Sequence, residues 1–196
     1  MSIQQDISFS AIKSPAVLPE KAPLFGALDL GTNSCRMLIA RPRKNDFEVV
    51  DAFSKTVYLG KGMDTTGRLS NAAMRRTISA LHVCQKKLRQ HNVKYSRLVA
   101  TAACRQAVNG RDFIKRARRE AHIKLEVIKP AEEARLAVVG SVGHLKSMTE
   151  QVLVVDIGGI SEVSGYAQVK RDSEPLNADL KLSIQSNDQA VTTNGR

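Results

Sequence analysis

The stretch LFGALDLGTNSCRMLIA, residues 24–40, decides how the rest of the chain is read. An apolar run meets Asp29, the polar residues Gly31, Thr32, Asn33 and Ser34 follow, and a second apolar run closes the stretch. Two short β-prone runs around a polar turn predict a hairpin with an acid at its bend. Gly31 lets a ligand come close to the backbone, while Thr32, Asn33 and Ser34 offer hydroxyl, amide and N–H donors. Convergent donors suit phosphate oxygens, and a neighbouring carboxylate such as Asp29 suits Mg²⁺, held directly or through water. The same residues also make an ordinary hairpin, because Gly, Asn, Asp and Ser dominate turns for local reasons.

Residues 152–159, VLVVDIGG, repeat the design with an apolar strand, Asp156, and the pair Gly158 and Gly159. Two strand–Asp–Gly turns facing each other across a cleft would grip one phosphate chain from both sides. Four words in order, ALDLGTNSCRMLIA, ATAACRQAVNG, EEARLAV and VVDIGG, run through residues 24–159. Together they resemble the exopolyphosphatase and guanosine pentaphosphate phosphohydrolase (Ppx/GppA) family. The resemblance implies an α/β lobe of the actin-like, ribonuclease H-like class (the sugar kinase and heat-shock ATPase superfamily), with a mixed sheet and an incomplete second lobe. It implies hydrolysis of terminal phosphoanhydride bonds of inorganic polyphosphate or of guanosine pentaphosphate, with Mg²⁺ or another divalent cation. Homodimers occur in such a family.

Carried over position by position, the resemblance places Asp29 and Asp156 beside the metal. Gly31, Thr32, Asn33 and Ser34, with Gly158 and Gly159, would present donors to successive phosphates. Arg105 matches the family's arginine and would pair with phosphate oxygens in a bidentate way. Glu133 matches the catalytic glutamate that orients or deprotonates the water, although Glu132 lies one residue away and could trade roles. Both acids are also what any helix N-terminus favours. Glu162 would match the second acidic residue. The family's second loop usually reads DIGGGS, then Ser or Thr, then Glu. Here Ile160 replaces the third glycine and the Glu arrives one residue early. A β-branched residue resists positive φ and close approach of phosphate. Most of the second lobe is also absent, and a truncated or frameshifted tail after Gly159 is one explanation.

Composition bounds the alternatives. A chain of 196 residues, 42% hydrophobic, supports a buried core in one good-sized domain or a domain plus a fragment. No apolar run approaches membrane-spanning length and residues 1–21 do not read as a signal peptide, so a cytoplasmic protein is expected. Three cysteines without CxxC spacing support neither a disulfide framework nor a zinc site. A net charge of +11 attracts polyanions. With 4% aromatic residues and no Trp, stacking platforms for nucleic acid are scarce and no nucleic-acid motif appears, so polyphosphate fits at least as well.

Along the chain, residues 1–23 read as a flexible leader, 24–151 as the first lobe, 152–169 as the start of the second, and 170–196 as a polar, disordered tail. Strands are expected at residues 47–53, 98–103 and 125–128, with a short extension at 57–60. Met74, Ile78, Leu81 and Leu88 set a helical stripe behind a Ser70 cap. Asp112 is placed to cap a second helix, and Pro130 opens a third. Two other functions share these features. An ATP-dependent kinase or ATPase of the same superfamily would need an adenine pocket from the missing lobe. A non-catalytic polyanion-binding module is supported by the charge and the altered second loop.

Overall fold

In a computed structural model of the chain, residues 22–44 and 46–141 are described in full. Backbone alone is described for Val142 and for four strands at Gln5–Ile7, Gln151–Ile157, Glu162–Val169 and Ala178–Gln185. In chain order the elements are β1 (Gln5–Ile7), β2 (Phe25–Leu30), β3 (Ser34–Pro42), β4 (Phe47–Thr56), α1 (Met63–Thr66), α2 (Asn71–Gln90) and β5 (Tyr95–Ala100). Then come α3 (Ala102–Gln106), α4 (Gly110–Ala121), β6 (Glu126–Val127), α5 (Pro130–Val142), β7 (Gln151–Ile157), β8 (Glu162–Val169) and β9 (Ala178–Gln185). The chain divides into two units, Pro15–Lys129 and the combination of Met1–Ser14 with Pro130–Arg196.

The first unit is a five-stranded mixed sheet in the order β4-β3-β2-β5-β6. Alternation within β2 buries Gly26, Leu28 and Leu30 on one face and leaves Phe25, Ala27 and Asp29 on the other. β3 and β4 continue as antiparallel neighbours, whereas β5 runs parallel to β2 and β6 parallel to β5. Parallel neighbours need a crossover, and α2 and α4 supply it. α2 starts at Ser70, whose side chain accepts from the Ala73 N–H at 3.2 Å, as the cap reading expects. Its apolar stripe, with Met74, Ile78, Leu81 and Leu88 buried, packs over β3 and β4. α4 buries Phe113, Ala117 and Ala121 and packs on α2 and α3.

The second unit carries a four-stranded antiparallel sheet, β1-β9-β8-β7, with α5 packed on β7, β8 and β9. That packing moves the division between units to Lys129 and Pro130; the sequence reading put it after residue 151. Parts of both segments expected to lack structure are strands: Gln5–Ile7 and Ala178–Gln185 pair with each other. The weak alternation of Leu180, Leu182 and Ile184 was the signal for the second. Apart from Ala22 and Pro23, the rest of the leader and tail lies outside the described residues.

Other boundaries also shift. Residues 57–60 lie outside any strand, with a turn at 59–60, and the strand expected at 98–103 ends at Ala100. The residues after it wind into α3 once Thr101 leaves the extended conformation at φ −118° and ψ −140°. Asp112 sits in the first turn of α4 and Asn109 takes the cap position. Among the described residues no helix is long and apolar enough to cross a membrane.

Candidate functional site

The carboxyl ends of the parallel strands form one edge of the five-stranded sheet, where open α/β sheets hold their ligands. β2 delivers Asp29 there as its penultimate residue, exposed and paired in register with Arg36 of β3. The turn is three residues long, Gly31, Thr32 and Asn33, and closes through the Gly31 N–H donating to the Ser34 carbonyl at 2.9 Å. Two of its carbonyls are bonded to the segment that follows β4. Thr32 O accepts from the Gly60 N–H at 3.0 Å, and Asn33 O accepts from the N–H groups of Val57 at 2.8 Å and Tyr58 at 3.0 Å. Among the described residues, the N–H groups and side chains of Thr32 and Asn33 make no hydrogen bond. A turn with the Thr32 and Asn33 carbonyls engaged and their donors left over is suited to an anion.

Neither backbone geometry nor packing explains Gly31. Its φ is not positive, and a Cβ there would meet only the Ser34 carbonyl, at an ordinary 3.6 Å.

The parallel half of the sheet adds the cation. The Thr101 N–H donates to Leu30 O at 3.1 Å, which ties the end of β5 to the end of β2. Thr101 O then accepts from the N–H groups of Cys104 and Arg105, both at 3.1 Å, and starts α3. Arg105 therefore stands in a short helix beyond the strand, not at the strand end the sequence suggested. Half-buried, it donates from Nη1 to the Ile128 carbonyl at 2.7 Å. Gly110, the first residue of α4, keeps that helix in place: a Cβ there would lie 2.1 Å from the Cys104 carbonyl. Asn109 joins the two connections by donating to Leu69 O at 2.9 Å and accepting from the Leu69 N–H at 2.8 Å.

The cysteines are buried. Cys35 and Cys84 place their sulfurs 4.0 Å apart, and the shared contact pushes the Cys35 thiol up and the Cys84 thiol down. Burial pushes Cys104 up to about 12.

The five-stranded unit thus brings Asp29, Gly31, Thr32, Asn33, Ser34 and Arg105 to one edge. Glu133 belongs to the other unit, in the first turn of α5. There Glu132 is held by Arg135, with contacts of 2.7 Å and 3.0 Å. Asp156 is the penultimate residue of β7, registered against Val163, and Glu162 is registered against Ile157. Asp29 and Asp156 stand on strands of different sheets, not on adjacent strands of one. Gly158 and Gly159 lie outside the described residues. No group of three His, Cys, Asp or Glu able to hold a metal occurs among the described residues. A cavity of about 450 Å³ is lined by Lys61, Thr66, Arg68, Ser70 and Asn109 among others, and by none of the expected site residues.

The bracing of the turn by Val57, Tyr58 and Gly60 has no counterpart in the sequence, where residues 57–60 read as a short strand extension. The positive φ of 46° at Tyr58 leaves no trace in residue type.

The strand order, the two crossovers and the anion-suited edge define an actin-like α/β lobe. The Ppx/GppA phosphatase family model matches residues 38–170. The Aquifex aeolicus member of that family is similar in structure, with 28% identity, a TM-score of 0.68, and 83% of this chain covering 51% of that one. An exopolyphosphatase from Cytophaga hutchinsonii is similar at 27% identity and a TM-score of 0.68, with 79% of this chain covering 49% of that one. The chain belongs to the Ppx/GppA phosphatase family, and it spans about half the length of these solved structures.

Proposed function

We propose that the chain binds the terminal phosphates of inorganic polyphosphate at the first turn, as a cytoplasmic phosphohydrolase by descent whose own turnover is weak. The observation that carries this reading is the polarity of the turn: the Thr32 and Asn33 carbonyls bound by residues 57–60, donors of Thr32 and Asn33 left over, and a Gly31 that the fold does not require. Kinship with an exopolyphosphatase supports the substrate class. The low aromatic content favours polyphosphate over guanosine pentaphosphate, since a base wants a stacking partner.

In this reading Gly31, Thr32, Asn33 and Ser34 hold the phosphate oxygens, joined by Gly158 and Gly159, and Arg105 neutralises developing charge. A divalent cation fits the donor set. Mg²⁺ commonly takes one or two carboxylates and completes its shell with water and phosphate, so Asp29 with Asp156 would suffice. When bound, it would neutralise charge on the phosphoryl oxygens. Hydrolysis forms a bond between the water oxygen and the terminal phosphorus and breaks the bridging P–O bond, and the shortened chain leaves with the electron pair. Glu133 takes the water's proton. Such chemistry rests on positioning and electrostatics more than on covalent work by the protein.

Turnover is held low by the second hairpin. Ile160 occupies the position of a phosphate-approach glycine. Glu162 is registered against Ile157 in the β7–β8 ladder, one step from the pair that holds Asp156. Binding survives loose geometry, but hydrolysis needs groups fixed to within about half an ångström. The test is phosphate release from polyphosphate with Mg²⁺, beside Glu133→Gln and direct binding by calorimetry. Binding with little release is expected. Robust release abolished by Glu133→Gln would overturn the assignment of weak turnover, and absence of binding would remove the site.

A further inference from the structure

Charge in this chain is segregated. Residues 22–129 hold 22 Lys and Arg against 8 Asp and Glu, so the excess of positive charge lies wholly in the five-stranded unit. α2 is the extreme case, with five Lys or Arg in 20 residues and no acid at all.

At 100° per residue, Arg75, Lys86 and Arg89 fall within an arc of about 60° on one flank of α2. On the other flank Lys87 is bonded to Asp51 of β4 at 2.7 Å, and Arg76 to the Val57 carbonyl at 3.1 Å. That flank therefore faces the β4 edge, and the cationic stripe lies on the side toward α4. On α4, Arg111, Lys115 and Arg118 fall within another arc of about 60°, opposite buried Phe113 and Ala117. The acid Glu120 is taken by Arg116 and Arg119. Among the described residues none of the six stripe cations is in an ion pair, and Asp112 is the one acid of these helices outside an ion pair.

These charges oppose folding. Arg111 with Lys115, and Lys86 with Arg89, are like-charge neighbours one turn apart, and no acid offsets Arg75 at the positive end of the α2 dipole. Topology gives the stripes a direction. Each crossover helix starts at the carboxyl edge of the sheet, where the first turn sits, and returns to the opposite edge. From Arg75 to Arg89 the α2 stripe runs about 21 Å, and from Arg111 to Arg118 about 10 Å.

We propose that the outer face of the α2–α4 layer is a second binding surface, for the body of a linear inorganic polyphosphate running away from the first turn. Matched charge is the argument for the occupant. Nucleic acid is disfavoured because neither helix exposes an aromatic ring, the one aromatic residue, Phe113, being fully buried. This inference rests on the reading of the turn as the terminal-phosphate site and adds the chain-length dependence that the turn alone does not produce.

The test uses the full 196-residue chain with tripolyphosphate, long-chain polyphosphate and duplex DNA as probes, at several salt concentrations. Two triple variants are compared with the parent, Arg111→Gln with Lys115→Gln and Arg118→Gln, and Arg75→Gln with Lys86→Gln and Arg89→Gln. Each is expected to weaken long-chain binding on the order of tenfold with a shallower salt dependence. Tripolyphosphate binding should stay unchanged and the melting temperature should rise. Arg105→Ala should do the reverse, reducing tripolyphosphate binding most. Unchanged long-chain affinity in both triple variants would overturn the surface while leaving the turn intact. Loss of all binding on Arg105→Ala alone would also overturn it, and tighter binding of duplex DNA than of polyphosphate would overturn the occupant. If tripolyphosphate does not bind the parent chain, the reading of the turn fails, and the triple variants still decide the surface.

Discussion

In the hairpin β2–β3, Leu30 pairs with Cys35 and Asp29 stands one residue before the strand ends; in β7–β8, Ile157 pairs with Glu162 and Asp156 stands in the same place. The span from strand end to partner is five residues in both. Their surroundings differ. β2 has an antiparallel neighbour on one side and the parallel strand β5 on the other, which leads to Thr101, α3 and Arg105. Among the described residues β7 ends its sheet, with β8 beside it. The sequence motif thus specifies a hairpin, while the parallel crossover beside it supplies the cation and the brace. Motif similarity between the two turns overstates their functional likeness.

The largest effect is expected where the crossover is locked. Gly110→Ala places a Cβ against the Cys104 carbonyl, so either α3 or the start of α4 has to move. Overpacking of this kind costs about 1–3 kcal/mol, and the backbone contact puts Gly110→Ala at the upper end. A fall in the urea midpoint together with weaker tripolyphosphate binding is predicted. A variant of parental stability would show that α3 is loosely seated.

Next comes Arg105→Ala, which removes a cation from the first hairpin's edge. Hydrogen bonds to charged groups are worth about 1.5–3 kcal/mol, so tripolyphosphate affinity should drop roughly tenfold or more. Arg105→Lys is expected to recover little of it, since a point charge does not reproduce the planar fork. Full recovery by Lys would reduce the role to charge alone.

Much of this was legible in residues 24–40, because alternation fixes a strand's faces and a polar turn marks its end. The amphipathic stripe of α2 and its Ser70 cap were equally plain. What the sequence hid was tertiary. The brace by Val57, Tyr58 and Gly60 consists of backbone hydrogen bonds, which carry no side-chain signature. The winding of α3 out of an Ala-rich stretch after β5 depends on Thr101 pairing with Leu30, a long-range contact. The alternation of Leu180, Leu182 and Ile184 was too short, among polar residues, to set β9 apart from the tail.

A smaller effect reports on α3 from within. With Cys104 pushed up to about 12 by burial, little thiolate exists at neutral pH, and native alkylation should be slow. Rapid modification would reveal opening of the crossover that carries Arg105.

The smallest effect concerns the far side of the first sheet. The Lys87 hydrogen bond, aided by His91, holds the Asp51 carboxyl below its ordinary range. A depressed folded pKa contributes stability above the unfolded pKa and loses it as pH falls through the folded value. Asp51→Asn should therefore flatten the acid limb of the stability profile below roughly pH 4 and leave phosphate binding alone. An unchanged acid limb would show that the ion pair contributes nothing.

The central claim, that the first turn is the phosphate-binding element, is tested most directly by amide resonances. Titration of the labelled chain with tripolyphosphate and Mg²⁺ should move the N–H signals of Thr32 and Asn33 first and furthest, with Gly158 and Gly159 trailing. Saturable shifts elsewhere, with Thr32 and Asn33 unmoved, would contradict it.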